Sequence, residues 1–318
     1  MTADPRLTKL VRAYTAEVED FEDCYTDAEG NFSGRLLRSL IRFAAGVGGN
    51  AVFGTLLLQA DKLILSAMLP LKQFAYYSLA SVIANMISML ASPVSGAVFP
   101  RFSQLVGSHS PESQISALYH LACQSVSVLV VPLSLTVAFF SYQSLYVYTG
   151  SAEIASNTAT ILTVLIVAKM LHASMIVPYA LQLAYGWVRL SLYVNMVSVL
   201  WLVPAVYLLS QIYGPVGAAA AWLLVSVGYL TIGIPLMHRR LLLGEQWSWM
   251  WRVLVAPVAV VCVFLELIQL LLDEALFGRW LSGILLVSIS VGAVAVAVGS
   301  SPDVRKWVIG HLPGWRKA

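Results

Sequence analysis

Long apolar runs without charged residues, separated by short polar stretches, recur along this chain. One extends from Gln73 to Pro100, and an Asp61-Lys62 pair ends the run before it. Because about 20 apolar residues cover the hydrocarbon core of a bilayer as a helix, the pattern predicts eight membrane-spanning helices. They cover about residues 39–60, 75–98, 119–140, 156–178, 190–210, 215–237, 251–272 and 281–299.

The region from Leu190 to His238 is the one long stretch that the pattern leaves ambiguous. It holds no Asp, Glu, Lys or Arg and is too long for one span. The turn-forming residues of Gln211-Ile-Tyr-Gly-Pro215 split it into two helices. The runs are continuous rather than alternating, which excludes the strands of a membrane barrel. The predicted fold class is therefore all-α integral membrane.

Composition agrees with this class and sets one segment apart. The 318 residues are 59% hydrophobic and only 11% charged, and the mean hydropathy is +0.79. Such values lie far outside soluble globular usage. Residues 1–34 differ, with eight acidic and three basic residues. They lack the basic and apolar regions of a secretory signal, so we interpret them as an acidic cytosolic tail or linker.

The positions of Lys and Arg predict the orientation of the helices. With eight spans and a cytoplasmic N-terminus, fifteen of the nineteen bases fall on the cytoplasmic side. The other side receives Lys62, Lys72 and Arg279, and Lys169 falls within a helix. Basic loops favour the cytoplasm. We therefore expect a multi-pass protein of the cell inner membrane with both termini cytoplasmic.

The sequence shows no signature of catalysis. It holds no Gly-x-Ser-x-Gly elbow, no phosphate-binding loop and no His-Glu-x-x-His motif. Its five histidines are scattered, and its three cysteines have no paired spacing. We expect no enzyme activity, no metal, no cofactor and no nucleic-acid partner.

Features typical of mobile, closely packed helices are frequent. Proline lies within or at the end of six predicted helices, where it removes a backbone donor and favours a kink. These prolines are Pro93, Pro132, Pro178, Pro204, Pro235 and Pro257. Small residues four apart, such as Gly217 and Ala221, allow helices to approach closely. Both features favour a transporter, although other multi-pass proteins share them.

Two blocks of sequence resemble a known family. Asp61-Lys-Leu-Ile-Leu-Ser66, Phe74-Ala-Tyr-Tyr-Ser-Leu-Ala80 and Pro93-Val-Ser-Gly-Ala-Val-Phe-Pro-Arg-Phe-Ser103 form the first. The second combines Leu181-Gln-Leu-Ala-Tyr-Gly186 with Tyr213-Gly-Pro-Val-Gly-Ala-Ala-Ala-Ala-Trp222. The blocks resemble the polysaccharide and O-antigen flippases of the multidrug/oligosaccharidyl-lipid/polysaccharide exporter superfamily. They identify the superfamily better than the substrate.

The resemblance implies a division of the chain. Family members usually carry two six-helix lobes, and this sequence resembles the second lobe together with two extra helices. The implied parts are a tail or inter-lobe linker at 1–34, a six-helix lobe at 35–240, two added helices at 241–300 and a basic cytosolic tail at 301–318. We expect either a truncated gene product or a half-transporter that assembles with a missing N-terminal lobe or a second copy.

The family role implies a substrate and a mechanism. A flippase moves a lipid-linked oligosaccharide, whose carrier is a polyprenyl pyrophosphate, across the cytoplasmic membrane by alternating access. A multidrug or cation exporter of the same superfamily is one alternative. A membrane polymerase or ligase of glycan assembly is another, and the short predicted outer connections at about 61–74 and 141–155 argue against it.

Three ionisable residues at or near membrane depth are the first site candidates. Lys169 and His172 are three residues apart, so they share one helix face. The alternative is that Lys169 extends to an interface and His172 only packs. Asp61 and Lys62 are adjacent and point to different faces, and we expect Asp61 to be the inward one, as a proton or cation site.

Two further candidates lie at the ends of predicted helices, and a third lies within one. Arg101 and Arg189 would meet a pyrophosphate, although the orientation rule alone also explains them. Asn85 is polar within a span and fits a translocation path or an interhelical hydrogen bond. Near the C-terminus, Arg305 and Lys306 beside Trp307 suit anionic headgroups, so we also expect membrane lipids as partners.

Overall fold

A computed structural model describes residues 34–271 and 279–311. All of its regular structure is helical, and eight helices are long and apolar enough to cross a membrane. The predicted fold class and helix count are confirmed. The helices are α1 (Gly34–Met68), α2 (Leu71–Gly107), α3 (Glu112–Phe139), α4 (Ser141–Thr149), α5 (Ala152–Ala173), α6 (Ile176–Ala184), α7 (Val188–Tyr213), α8 (Pro215–Gly228), α9 (Ile234–Leu241), α10 (Gln246–Trp249), α11 (Ala256–Leu271), α12 (Arg279–Ser300) and α13 (Pro302–His311).

The chain divides into two units, one ending at Ala51 and one beginning at Val52. The described part of the first unit, residues 34–51, is helical. All other described elements belong to the second unit. The predicted tail at 1–34 lies outside the described residues except for Gly34, as do residues 312–318 of the predicted C-terminal tail.

Two predicted outer connections differ from the structure. The first span continues past Asp61 and Lys62 to Met68, and the second begins at Leu71, so the connection expected at 61–74 is far shorter. The apolar residues that follow the charged pair allow the helix to continue. The connection expected at 141–155 contains the short helix α4, which Gly150 ends in the left-handed conformation.

Two spans form the centre of the second unit. Within the most apolar 18 residues of each span, 72% of the residues of α3 are buried. The share is 61% in the span formed by α5 and α6, and 11–33% in the other spans. Helix α5 packs against α2, α3, α4 and α8, and the last two spans pack against α3. The site described below is built around α5.

Two of the prolines are accompanied by a local change of helix type. Wider π-helical turns at Tyr229–Gly233 and Met250–Val255 precede Pro235 and Pro257. Pro257 lacks the N–H that would donate to the carbonyl of Val253, four residues earlier. The buried hydroxyl of Ser127, on α3, donates to that carbonyl at 2.5 Å. A side chain of a neighbouring helix thus satisfies the group that proline leaves unpaired.

Two of the bases expected on the non-cytoplasmic side have local partners. Lys72 Nζ lies 2.7 Å from Glu153 Oε1, and both side chains are exposed. Arg279 Nε donates to the carbonyl of Val147 at 3.0 Å. These contacts connect α2 with α5 and α4 with α12 at the helix ends.

We predict that Ser127→Ala destabilises the protein. Loss of the hydroxyl leaves the Val253 carbonyl without that donor inside the bundle, and a buried unsatisfied group costs about 1–3 kcal/mol. The free energy of unfolding, measured by denaturant titration in mixed micelles, tests this. Ser125→Ala is the matched control, because Ser125 donates within its own helix, to Leu121, and we expect a near-neutral effect. Equal effects of the two substitutions would contradict the assignment.

Candidate functional site

A buried carboxylate on α1, that of Asp61, is the first component of the site. Only 2% of this residue is exposed. Its Oδ2 accepts hydrogen bonds from Tyr77 Oη at 2.5 Å and from Trp222 Nε1 at 2.8 Å. Its Oδ1 accepts from the backbone N–H of Lys62 at 2.7 Å. An ionised carboxylate away from water needs such donors, since its desolvation otherwise costs many kcal/mol.

A buried cation contacts the ring face of Trp222. Lys169, on α5, is 2% exposed, and its Nζ is 3.4 Å from the centre of the Trp222 ring. An indole has a positive edge that carries the N–H and a negative face. Trp222 therefore offers its edge to Asp61 and its face to Lys169. The two opposite charges are connected through one aromatic side chain.

His172 extends this arrangement by one helical turn along α5. Its ring centre lies 6.2 Å from that of Trp222 and 5.4 Å from that of Tyr229, and both pairs are nearly perpendicular. The Tyr229 hydroxyl donates to Asn195 Oδ1 on α7. We call Asp61, Tyr77, Lys169, His172, Trp222 and Tyr229 the central cluster. It brings together residues of α1, α2, α5, α8 and the π-helical turn after α8.

Small residues on α8 allow it to approach α7 closely. Gly217, Ala218, Ala219 and Ala221 are buried on α8. A Cβ atom at Gly217 would lie 2.1 Å from the backbone oxygen of Leu209, so only glycine permits this approach of α8 to α7. The close packing that the small-residue pattern predicted is thus present at Gly217.

The structure brings together three of the six residues that the sequence nominated. Asp61, Lys169 and His172 are all in the central cluster. Arg101 is exposed and donates to Gln104 of its own helix, and Arg189 is exposed near the start of α7. Asn85 Nδ2 is 3.4 Å from Ser81 Oγ, one turn away on α2. The functional roles of all six remain predictions.

The aromatic members of the cluster were not among the residues predicted from the sequence. Tyr77 and Trp222 both lie in the blocks that resemble the flippases, which was the available signal. Tyr229 and its partner Asn195 lie in the uncharged region from Leu190 to His238, where no pattern distinguishes them from other residues of an apolar helix.

A second polar group, which we call the His120 cluster, connects α3 with the segment before α10. His120 Nε2 lies 2.8 Å from Glu245 Oε2, and Ser116 donates to Glu245 Oε1 at 3.1 Å. Beside it, Tyr119 Oη and His238 Nε2 are 3.2 Å apart. Burial opposes the ionisation of Glu245, but His120, Ser116 and Arg252 together lower the pKa of Glu245 below its ordinary value.

The eight apolar spans and the internal pairing of charged groups define a multi-pass α-helical membrane protein. Residues 18–106 match the model of a family described as polysaccharide biosynthesis protein. No curated protein and no solved structure matches the chain. The matched segment contains Asp61 and Tyr77, and it supports a relation to polysaccharide biosynthesis for this part of the chain.

We predict that the two donors to Asp61 act together. Tyr77→Phe and Trp222→Phe each remove one hydrogen bond to the same oxygen of a charged group, a loss of about 1.5–3 kcal/mol. Trp222→Phe should cost more than Tyr77→Phe, because it also reduces a buried ring that contacts Lys169. Because the donors share an acceptor, the double variant should depart from additivity by about 0.5 kcal/mol or more. Unfolding titrations in mixed micelles measure both quantities.

Tyr193→Phe is the control for these substitutions, since Tyr193 is 58% exposed. It should leave the free energy of unfolding nearly unchanged. Strict additivity of Tyr77→Phe and Trp222→Phe would show that the two side chains do not share the carboxylate.

We predict a pH-dependent effect of Glu245→Gln. A lowered pKa in the folded state means that the carboxylate stabilises the protein above the ordinary glutamate pKa of 4.5, and that this contribution is lost as the pH falls through the lowered value. At pH 7 the free energy of unfolding of the variant should be lower by about 0.5–1 kcal/mol, a figure that allows for the partial exposure of Glu245. The loss should shrink below pH 4.5.

The background variant His120→Asn provides the control for this measurement. In it, Glu245→Gln should have a clearly smaller effect at pH 7, because the histidine partner is already absent. An undiminished effect would show that Glu245 acts through other groups.

Proposed function

We propose that this protein moves a lipid-linked oligosaccharide across the cytoplasmic membrane, in the manner of the polysaccharide flippases. The observation that carries the proposal is the central cluster, where Asp61 and Lys169 are buried in a membrane helix bundle and both contact Trp222, one at its N–H and the other at its ring face. Ionisable residues are costly at this depth and usually serve a pathway. The match of residues 18–106 to polysaccharide biosynthesis proteins supports the substrate class.

The residues of the central cluster suit a substrate that combines an anionic pyrophosphate with a glycan. Lys169 contacts the Trp222 ring, so a pyrophosphate can replace that ring as its partner. Asp61 keeps its bonds to Tyr77 and Trp222 throughout and compensates the charge of Lys169 when no substrate is bound. Trp222, Tyr229 and His172 offer aromatic faces that pack against the apolar faces of sugar rings.

Because Asp61 and Lys169 are each only 2% exposed, the conformation described here is closed at the cluster. Alternating access requires that the bundle open towards one side of the membrane at a time. The π-helical turns before Pro235 and Pro257 are suited to this movement, because they already depart from regular α-helical pairing.

The two exposed arginines, Arg101 and Arg189, attract the substrate in this proposal. With cytoplasmic termini, Arg101 and Arg189 lie at helix ends on the cytoplasmic side, where they attract the pyrophosphate before it reaches Lys169. Helices α2 and α7 are mostly not buried by the rest of the chain. Within their most apolar 18 residues, 17% of the residues of α2 and 11% of those of α7 are buried. In the proposal they face a second lobe or a second copy, which completes the path.

The proposed activity is transport and not catalysis. Experiments distinguish it from two alternative functions. A drug exporter of the same superfamily would protect cells from toxic cations, and a polymerase or ligase would extend or transfer glycan that already lies on the outer face.

We predict that Lys169→Gln, introduced into the chromosomal gene, blocks export of the polysaccharide. Lipid-linked precursor should accumulate on the cytoplasmic leaflet, because its pyrophosphate loses the buried partner. Loss of one charge-assisted contact of about 1.5–3 kcal/mol corresponds to a rate lowered by about tenfold or more. Precursor sidedness, measured by an impermeant glycan-modifying reagent, and surface polymer are the readouts.

Lys72→Gln is the matched control. It makes the same chemical change at an exposed lysine whose partner is Glu153 and which lies outside the central cluster, and export should continue. Normal precursor distribution in the Lys169→Gln strain, with protein levels equal to those of the parent, would overturn the proposal. Altered drug resistance alone would favour the exporter instead.

A further inference from the structure

A cavity lies apart from the central cluster, where the start of the seventh span, the end of α12 and helix α13 meet. Its volume is about 300 Å³. Trp251 and Arg252 line it from the start of the seventh span, Ser300 from the end of α12, and Pro302 and Arg305 from α13. A volume of this size is at the lower end of the range for small-molecule sites, about 300–1,000 Å³.

The cavity lies where two spans end, which corresponds to the predicted level of the lipid headgroups. The seventh span begins at Gln246 and the eighth ends at Ser300, so these two ends of consecutive antiparallel spans lie on one side of the membrane. Trp251 is 63% exposed beside the cavity, and Trp307 is 54% exposed on α13. Tryptophan at the ends of spans is typical of the membrane–water interface.

The lining of the cavity is positively charged. Arg252 and Arg305 are among its lining residues, which include no acid. A guanidinium group binds phosphate in a bidentate manner. Arg252 is shared between two acids outside the lining, since its Nη1 lies 3.8 Å from Asp303 Oδ2 and it lowers the pKa of Glu245. Within the described part of the chain, Arg305 has no carboxylate within ion-pair distance and is the base that gives the cavity its positive charge.

Asp303 is held in place by another partner. Gln124 Nε2 donates to Asp303 Oδ2 at 2.5 Å, and the backbone N–H of Asp303 donates to Gln124 Oε1 at 3.0 Å. These two bonds fasten the first turn of α13 to α3. Asp303 Oδ2 thus accepts a short hydrogen bond from Gln124 and makes a longer ion pair with Arg252.

We propose that this cavity binds the phosphate of an anionic phospholipid headgroup, with Arg252 and Arg305 as its ligands. The position of the cavity at the ends of two spans and the exposed tryptophans favour a lipid over a soluble anion, and the two arginines supply ligands for its phosphate. The bound lipid fastens the last two spans and α13 to the leaflet. The site does not depend on the proposed transport activity, because it shares no residue with the central cluster.

The test is lipid binding to the purified full chain in nanodiscs of phosphatidylcholine that contain increasing fractions of phosphatidylglycerol, read by mass spectrometry of retained lipid. Arg305→Gln removes a guanidinium that has no internal ion pair among the described residues, so folding should be unaffected. We expect it to weaken phosphatidylglycerol retention by about tenfold. Arg252→Gln should act in the same direction.

Lys306→Gln is the control that separates a site from a general field. Lys306 is exposed on the same helix but does not line the cavity. A specific site predicts a small effect of Lys306→Gln, whereas attraction to a charged leaflet predicts the same loss of about fivefold for each base removed. Equal effects of Lys306→Gln and Arg305→Gln would overturn the proposal.

Two competition arms identify the source of the phosphate. Inorganic phosphate at millimolar concentration should not displace the retained phosphatidylglycerol, and displacement would indicate a free-anion site and contradict the proposal. A short-chain polyprenyl pyrophosphate that displaces the phospholipid at equimolar amounts would make the cavity a substrate site, which also contradicts it. Neither arm measures transport, so failure here leaves the proposed function untouched.

Discussion

Polar groups within a bilayer have no water to pair with, and this constraint organises the molecule. The carboxylate of Asp61 accepts from Tyr77, Trp222 and a backbone amide. The carbonyl of Val253, left by Pro257 without its usual donor, accepts from Ser127. In each case a neighbouring helix supplies a side chain that donates to the polar group. Hydrogen bonds of this kind determine which helices contact each other, because apolar surfaces alone pack equally well in lipid.

Trp222 connects this need for polar partners with the proposed transport. Its N–H donates to an anion and its ring face contacts a cation, so one side chain holds both charges at a depth where either alone would be costly. The contact between Lys169 and the Trp222 ring also connects α5 with α8. A substrate that offers an alternative partner to Lys169 can therefore change the packing of α5 against α8. This gives the proposed transport a physical switch.

Much of the architecture follows from composition along the chain. Eight spans were predicted from apolar runs, and each has a counterpart in the structure. Errors occurred where local signals compete. Asp61 and Lys62 resemble a helix end in the sequence, but the helix continues because the next six residues are compatible with it and the carboxylate has internal partners. Helix α4 was missed because its nine residues are too short to show a membrane pattern.

Sequence alone determined the class of protein, the number of spans and three of the residues in the central cluster, since buried charge in an apolar run is visible without a structure. Only the tertiary structure decided which residues meet. Lys169 and Trp222 are 53 positions apart, and Asp61 and Trp222 are 161 apart. Hydropathy reports how deep a residue lies in the membrane but not which neighbour it faces. That choice depends on the packing of small residues such as Gly217 and on hydrogen bonds between helices, which form only when the bundle assembles.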